Sequence, residues 1–310
     1  MSAAQPPTAP IAWIDDPAPE GRWGTPDALG VPLGDRGLLL AEGLFETVLV
    51  ERGRACLLAE HLERLASSAA LLELPPPPAA AVVAPLVASA IARSGIASGA
   101  LRLNWSRGSP TDPAARGLVT SACRPRLWLQ LNPANPAFAP VRVMVSPTEV
   151  RSASSLLSRC KTFAYGPSLV ARRQATAAGA DDALLASSAG GLCCGTAANL
   201  LVRLSGRWLT PPLASGCLPG IMRDRALRLG LAAEAGLGEL GTAELACSTG
   251  ALLLNSLGCR PISHLGTEAI AQPPNAAARA ERLWRRLVSG GPVQPEGLGG
   301  AARPDQGAWW

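Results

Sequence analysis

A chain of 310 residues, 48% hydrophobic and 16% charged, is long enough to bury a sizeable core, and its length points to two domains. The net charge of +5 is spread without a Lys/Arg run or interleaved aromatics, which gives nucleic-acid binding no support and suits a small anionic substrate. The first residues lack the basic and apolar regions of a signal peptide, and no run of about 18 apolar residues follows, so no membrane association and a cytoplasmic location are expected.

Taken in order, residues 1–10 are expected to be disordered, and residues 11–14 read as a short strand before a Pro/Gly-rich stretch ending near residue 34. Residues 44–50 form a predicted strand, 52–54 a turn and 55–58 the returning partner of a hairpin. Apolar residues at 62, 65, 69 and 72 recur at helical spacing, and the helix stops before Pro75 to Pro78. Arg64 lies at the edge of that stripe, where pattern alone reads it as a snorkelling surface arginine. A second helix is predicted over 79–93. Residues 101–106 alternate as a strand and run into Arg107-Gly108-Ser109-Pro110, where an arginine at a loop's lip suits a carboxylate clamp as readily as an ordinary surface position.

The Pro-rich residues 132–140 lie between strand-like runs at 126–131 and 141–146. They serve as the predicted linker between a small N-terminal domain over 11–131 and a larger C-terminal domain over 141–289. Lys161 is the sole lysine of the chain and Tyr165, four positions on, the sole tyrosine. A lysine amine, unlike a guanidinium, can lose its proton and condense with an aldehyde, so a Schiff-base role competes with that of a stray solvated lysine.

Residues 168–178 read as a helix, 182–186 as a buried strand, and 199–204 with 207–210 as a hairpin. Leu218-Pro219-Gly220 opens a helix to about residue 231, whose first backbone amides offer a seat for a phosphate. A strand at 251–254 ends at Asn255-Ser256, whose amide and hydroxyl can also face an anion. A last helix over 276–289 precedes a Gly/Pro-rich tail, 290–310, expected to be disordered. Hairpins and mixed strands interrupted by helices fit an α/β chain of α+β-like mixed sheets more than a doubly wound one. Eight cysteines without a CxxC pair, two of them adjacent at Cys193-Cys194, read as reduced and largely buried. With only His61 and His264 besides, no metal site is expected.

Seven short stretches then stand in a telling order: Gly43-Leu44-Phe45-Glu46-Thr47, His61-Leu62-Glu63-Arg64-Leu65, Ser106-Arg107-Gly108, Lys161-Thr162-Phe163-Ala164-Tyr165, Gly179 to Leu185, Ala197-Ala198-Asn199-Leu200 and Leu218 to Asp224. Their order and spacing resemble the class IV aminotransferases, the fold type IV group of pyridoxal-phosphate enzymes, over residues 11–265. The resemblance implies two α/β domains with the cofactor in the cleft between them, commonly as a homodimer. It implies that Lys161 holds pyridoxal 5'-phosphate as a Schiff base and then shuttles the proton. By the same resemblance Arg64 grips the phosphate, aided by the amides of Ile221 and Met222 and by Ser256. Leu218 packs on the pyridine ring, Tyr165 lies beside the cofactor, and Arg107 and Asn255 face the substrate.

One departure stands out. Five residues before Asn199 the family usually has a glutamate that keeps the pyridine nitrogen protonated, and this chain has Cys194. A neutral thiol cannot stabilise a pyridinium as a carboxylate does, so the electron sink is expected to be weaker. Within the group, the Cys-Gly-Thr-Ala-Ala-Asn-Leu and Gly-Ile-Met-Arg runs are most similar to aminodeoxychorismate lyase, a carbon–oxygen lyase that forms 4-aminobenzoate and pyruvate for folate. Aromatisation drives that reaction and tolerates a poorer sink. The alternatives are a D-amino-acid or branched-chain aminotransferase, or a non-catalytic cofactor-binding homologue.

Overall fold

The computed structural model describes residues 8–15, 21–112, 117–118 and 122–290. Of the expected disorder over 1–10 and 290–310, residues 1–7 and 291–310 lie outside that set, whereas at the described ends Ala9 N donates to Ser94 O at 3.3 Å and Gly290 N to Arg286 O at 3.2 Å. The chain divides into two compact units. The first comprises residues up to Asn135 plus Cys160–Ala164, and the second comprises Pro136–Arg159 and the residues from Tyr165 on.

The first unit is built on an antiparallel sheet, six-stranded among the described residues. Its strands are β1 (Ile11–Ile14), β2 (Arg22–Gly24), β3 (Gly43–Glu51), β4 (Arg54–Ala55), β5 (Ser98–Pro110) and β6 (Cys123–Pro133), ordered β2-β1-β6-β5-β3-β4. Three helices accompany it: α1 (Arg36–Leu40), α2 (Leu58–Leu71) and α3 (Ala80–Ser94). Strand alternation sorts the side chains. Leu44, Val48, Leu101, Leu103, Leu129 and their neighbours form a buried core with Leu65 and Ala69 of α2 and Val83 and Val87 of α3. The opposite sheet face carries Phe45, Asn104 and Trp128 in one cross-strand row and Thr47, Arg102 and Gln130 in the next. The returning strand predicted over 55–58 is shorter, because Leu57 takes a left-handed conformation and the chain turns into α2 at Leu58.

The lysine segment corrects the expected domain division. Lys161 falls within the range assigned to the C-terminal domain, yet Cys160–Ala164 belongs to the first unit. The physical cause is strand pairing. Phe45 N donates to Lys161 O at 2.9 Å, Phe163 N donates to Gly43 O at 3.0 Å, and Thr162 bridges Leu44 on the edge of β3 that β4 leaves uncovered. Cys160 joins the core, which turns Lys161 to the opposite face by alternation. Gly43 is what lets the segment close in, since a Cβ there would stand 2.2 Å from the Phe163 ring.

The second unit holds β7 (Val141–Arg151), β8 (Asp182–Ser187), β9 (Leu192–Gly195), β10 (Asn199–Leu204), β11 (Arg207–Thr210), β12 (Ala233–Glu234), β13 (Ala251–Asn255), β14 (Gly258–Leu265) and β15 (Glu268–Ala269). Its helices are α4 (Gly166–Ala177), α5 (Ile221–Arg228), α6 (Thr242–Ala246) and α7 (Ala276–Ser289). The strands run β12-β11-β10-β13-β14-β7-β8-β9, with parallel pairing of β14 to β7 and of β7 to β8. A single further pair, Cys194 with Asn199, joins β9 back to β10 and closes the sheet on itself. Val143, Leu184, Leu200, Val202, Leu253 and Ile262 fill the core. An antiparallel sheet in the first unit and a mixed one in the second, each with helices, make the chain a two-domain α/β protein. Among the described residues no helix is long and apolar enough to cross a membrane.

Candidate active site

In the first unit β3 sends two consecutive side chains to opposite faces. Glu46 faces α2, where His61 and Arg64 stand one helical turn apart. Its carboxylate meets His61 Nδ1 at 2.7 Å and accepts from Arg64 Nε at 2.8 Å and Arg64 Nη2 at 2.5 Å. Burial disfavours the Glu46 charge, but the Arg64 charge and the hydrogen bonds from His61 and Arg64 outweigh it and hold the carboxyl at about 2. The bidentate fork fixes the plane of the Arg64 guanidinium, whose side chain is 12% exposed, so this arginine is no snorkelling surface residue.

On the other face the Phe45 ring collects two cations, Arg102 Cζ at 3.5 Å and Lys161 Nζ at 4.2 Å from its centroid. Arg102 Nε donates to Asn104 Oδ1 at 2.8 Å. Phe163 lies 6.5 Å from Phe45 and 5.5 Å from Trp128, extending the apolar floor beneath the amine. Two positive groups over one buried aromatic make this face a receptor for anions and keep the amine against an apolar wall.

Arg107 is employed elsewhere. Its Nε donates to Glu42, which also pairs with Arg36, and its Nη2 donates to Glu73 O at 2.8 Å. These contacts tie together the segments around residues 36, 42 and 73.

In the second unit one end of the sheet brings Cys194, Asn199 and Leu254 side by side across β9, β10 and β13. The α5 helix packs against β13, and Gly220, with φ −71 and ψ 137, caps it without a side chain. The helical ladder starts with Asp224 N donating to Gly220 O, so the amides of Ile221 and Met222 find no acceptor within the helix. Asn255 holds the chain around it: its Nδ2 donates to Ala197 O at 3.1 Å and its Oδ1 accepts from Leu257 N at 2.8 Å. Ser256, half-buried, forms the two-residue turn into β14 with Leu257. Tyr165, half-buried, caps the start of α4.

Cys193, Cys194 and Cys217 are buried together with Ala171, Ala175, Ala183 and Leu185. A hydrogen bond with Cys194, together with burial, pushes the Cys193 thiol up to about 12. The Cys217 thiol is raised by its hydrogen bond with Cys193 and by burial, and Cys259 by burial alone. Among the described residues no group of three His, Cys, Asp or Glu side chains is arranged to hold a metal ion.

The family model described as amino-transferase class IV matches residues 43–265. The chain belongs to this family. Class IV relatives include the bifunctional aminodeoxychorismate lyase / D-amino acid transaminase of Mycobacterium tuberculosis, 27% identical over 290 residues, covering 84% of this chain and 95% of the relative. Among solved structures, the fold IV-transaminase CpuTA1 of Curtobacterium pusillum superposes with a TM-score of 0.74 at 26% identity, over 91% of this chain and 98% of that one. The branched-chain amino acid aminotransferase of Escherichia coli shares the fold, with a TM-score of 0.78 at 19% identity, over 91% and 95%.

Within this class IV chain the residues singled out from the sequence fall into two groups. The first unit brings Lys161 onto the Phe45 face and sets Arg64 on α2, while Arg107 is drawn into the Glu42 and Glu73 contacts. The second unit carries Tyr165, Cys194, Leu218, Ile221, Met222, Asn255 and Ser256, and the Asn255 amide is spent on backbone partners at both ends. Three residues escaped the sequence reading: Glu46, Arg102 and Asn199. Their signals were an acid inside an otherwise apolar strand run and an arginine inside an alternating one, each of which calls for a buried partner. Asn199 gave none beyond its place in a quoted motif.

Proposed function

We propose that this class IV chain is a pyridoxal-phosphate-dependent 4-amino-4-deoxychorismate lyase, splitting its substrate into 4-aminobenzoate and pyruvate. Class membership makes pyridoxal phosphate the cofactor, and the donor set fits it: one amine, a fixed guanidinium, a helix start with unspent amides, and apolar surface. Bound pyridoxal phosphate supplies an aldehyde for condensation with amines and a conjugated ring that takes up the electron pair when an adjacent C–H bond loses its proton. Lys161 would bind the aldehyde and, once released, carry the proton from Nζ. The groups that would hold a phosphate are, in the first unit, the Arg64 guanidinium and, in the second, the amides of Ile221 and Met222 with the Ser256 hydroxyl. Leu218 would offer the ring an apolar face. Arg102, on the same sheet face as Lys161, is the better receptor for a substrate carboxylate than Arg107, whose guanidinium is tied to Glu42 and Glu73.

Cys194 carries the choice of reaction. A buried thiol stands where the resemblance expects a carboxylate, and the acids Asp182 and Asp224 that flank it in sequence are each paired with an arginine, Arg172 and Arg228. A ring nitrogen without a carboxylate partner makes a weaker electron acceptor. Loss of pyruvate leaves the six-membered ring of the substrate aromatic, so the lyase reaction runs downhill despite that weakness. Amine transfer has no such drive. Cofactor-loaded protein incubated with 4-amino-4-deoxychorismate should form 4-aminobenzoate and pyruvate in equal amounts. A fully loaded sample that forms neither, yet transfers amines to 2-oxoglutarate or pyruvate, would refute the assignment. That outcome favours the second reading, a D-amino-acid or branched-chain aminotransferase, which the double name of the mycobacterial relative keeps in view.

A further inference from the structure

We propose that Asn199 is the positioning residue of the anion seat: it clamps the Leu218-Pro219-Gly220 turn so that the amides of Ile221 and Met222 are presented together to a phosphate. The inference rests on the reading that this helix start holds the cofactor phosphate, and it assigns the residue that sets its geometry.

Asn199 opens β10 and is paired on both sides, to Cys194 of β9 and to Leu254 of β13, so its backbone is fixed by the sheet. Its side chain is buried and leaves the sheet toward the turn. Nδ2 donates to Leu218 O at 2.9 Å, and the same carbonyl accepts from Gly220 N at 2.8 Å, closing the turn with two donors. Oδ1 presses on Gly220 so closely that a Cβ there would stand 2.0 Å from it, so glycine is what admits the contact. Gly220 in turn brings no capping side chain, which leaves the first amides of α5 for an external anion. From the far side Arg223 anchors the helix by donating to Pro211 O at 2.8 Å. The turn is thus held from the sheet by one amide, and the helix that follows it is anchored by one guanidinium.

An amide suits this post for a chemical reason. Aspartate would place an acceptor against the Leu218 carbonyl and a negative charge beside the seat of a phosphate, and alanine would release the turn.

The test compares pyridoxal phosphate with pyridoxal, which lacks the phosphate, in titrations of apo protein followed by absorbance and in thermal melts. Asn199→Ala is expected to weaken pyridoxal phosphate binding by about 10–100-fold, the range typical of outer-shell supports, and pyridoxal binding by less than about 3-fold. Gly220→Ala attacks the same contact from the other side and should give the same ratio, which keeps the test alive if Asn199→Ala folds poorly. In the double variant the space vacated by the amide admits the new methyl, so its loss should be smaller than the product of the two single losses. Equal losses for the two ligands, or single losses that multiply in the double variant, overturn the proposal. Wild-type protein that binds the two ligands equally overturns instead the phosphate seat on which it rests, so the two failures are distinguishable.

Discussion

Replacing Glu46 by Gln removes the charge that holds Arg64 and His61, and its cost can be worked from the structure. The folded carboxyl sits at about 2 against an ordinary 4.5. That separation, at about 1.4 kcal/mol per pH unit, corresponds to stability on the order of 3 kcal/mol. The sign follows from the depressed value: the contribution is fully present above pH 4.5 and is lost as pH falls toward 2. Gln offers a single acceptor oxygen and turns donors toward the Arg64 fork, so the variant has lost this stabilisation at every pH. Urea unfolding followed by fluorescence of Trp13 and Trp105, both in the core of the first unit, reads the effect. At pH 7 the variant should be less stable by about 3 kcal/mol, and the two proteins should converge as the pH is lowered toward 2. A variant within about 0.5 kcal/mol of wild type at pH 7, or a gap unchanged in acid, would refute the reasoning.

Arg102→Ala should raise KM for a carboxylate substrate by about 10–100-fold with little change in Tm, whereas Arg107→Ala should act mainly on Tm, by severing Glu42 and Glu73; reversed effects would exchange their roles. Cys194→Glu should raise amine transfer to 2-oxoglutarate more than it raises 4-aminobenzoate formation, and equal gains would remove the argument built on the weak electron sink. Cys193 is held neutral up to about 12 by its bond to Cys194 and by burial, so the stability it contributes is present below its ordinary 9.0 and is lost as pH rises toward 12. Iodoacetamide at mildly alkaline pH should accordingly label the exposed Cys247 and spare the buried Cys193, Cys217 and Cys259, as peptide mass spectrometry would read; labelling of Cys193 at the rate of Cys247 contradicts the burial argument.

What the sequence determined by itself is local or ordered along the chain. Apolar spacing at 62, 65 and 69 marked α2, the Pro run after residue 74 ended it, and the 276–289 helix was legible to its last residue, because a helix's face and stops are written within one stretch. A single lysine within a series of short motifs was enough to single out the amine and the helix start. The tertiary structure decided everything that depends on pairing between distant residues. It moved the lysine segment into the first unit, since the bridge between Thr162 and Leu44 spans more than a hundred residues and leaves no periodic trace. It gave Arg64 a buried partner 18 residues away in Glu46 and drew Arg107 to Glu42. It also set Arg102 over Phe45 across two strands, and it brought Asn199 against Gly220, 21 residues on. Residue types disclose which chemistry a chain can perform, but partner choice for a charge or an amide is fixed by desolvation and geometry, and those arise when strands far apart in sequence come into register.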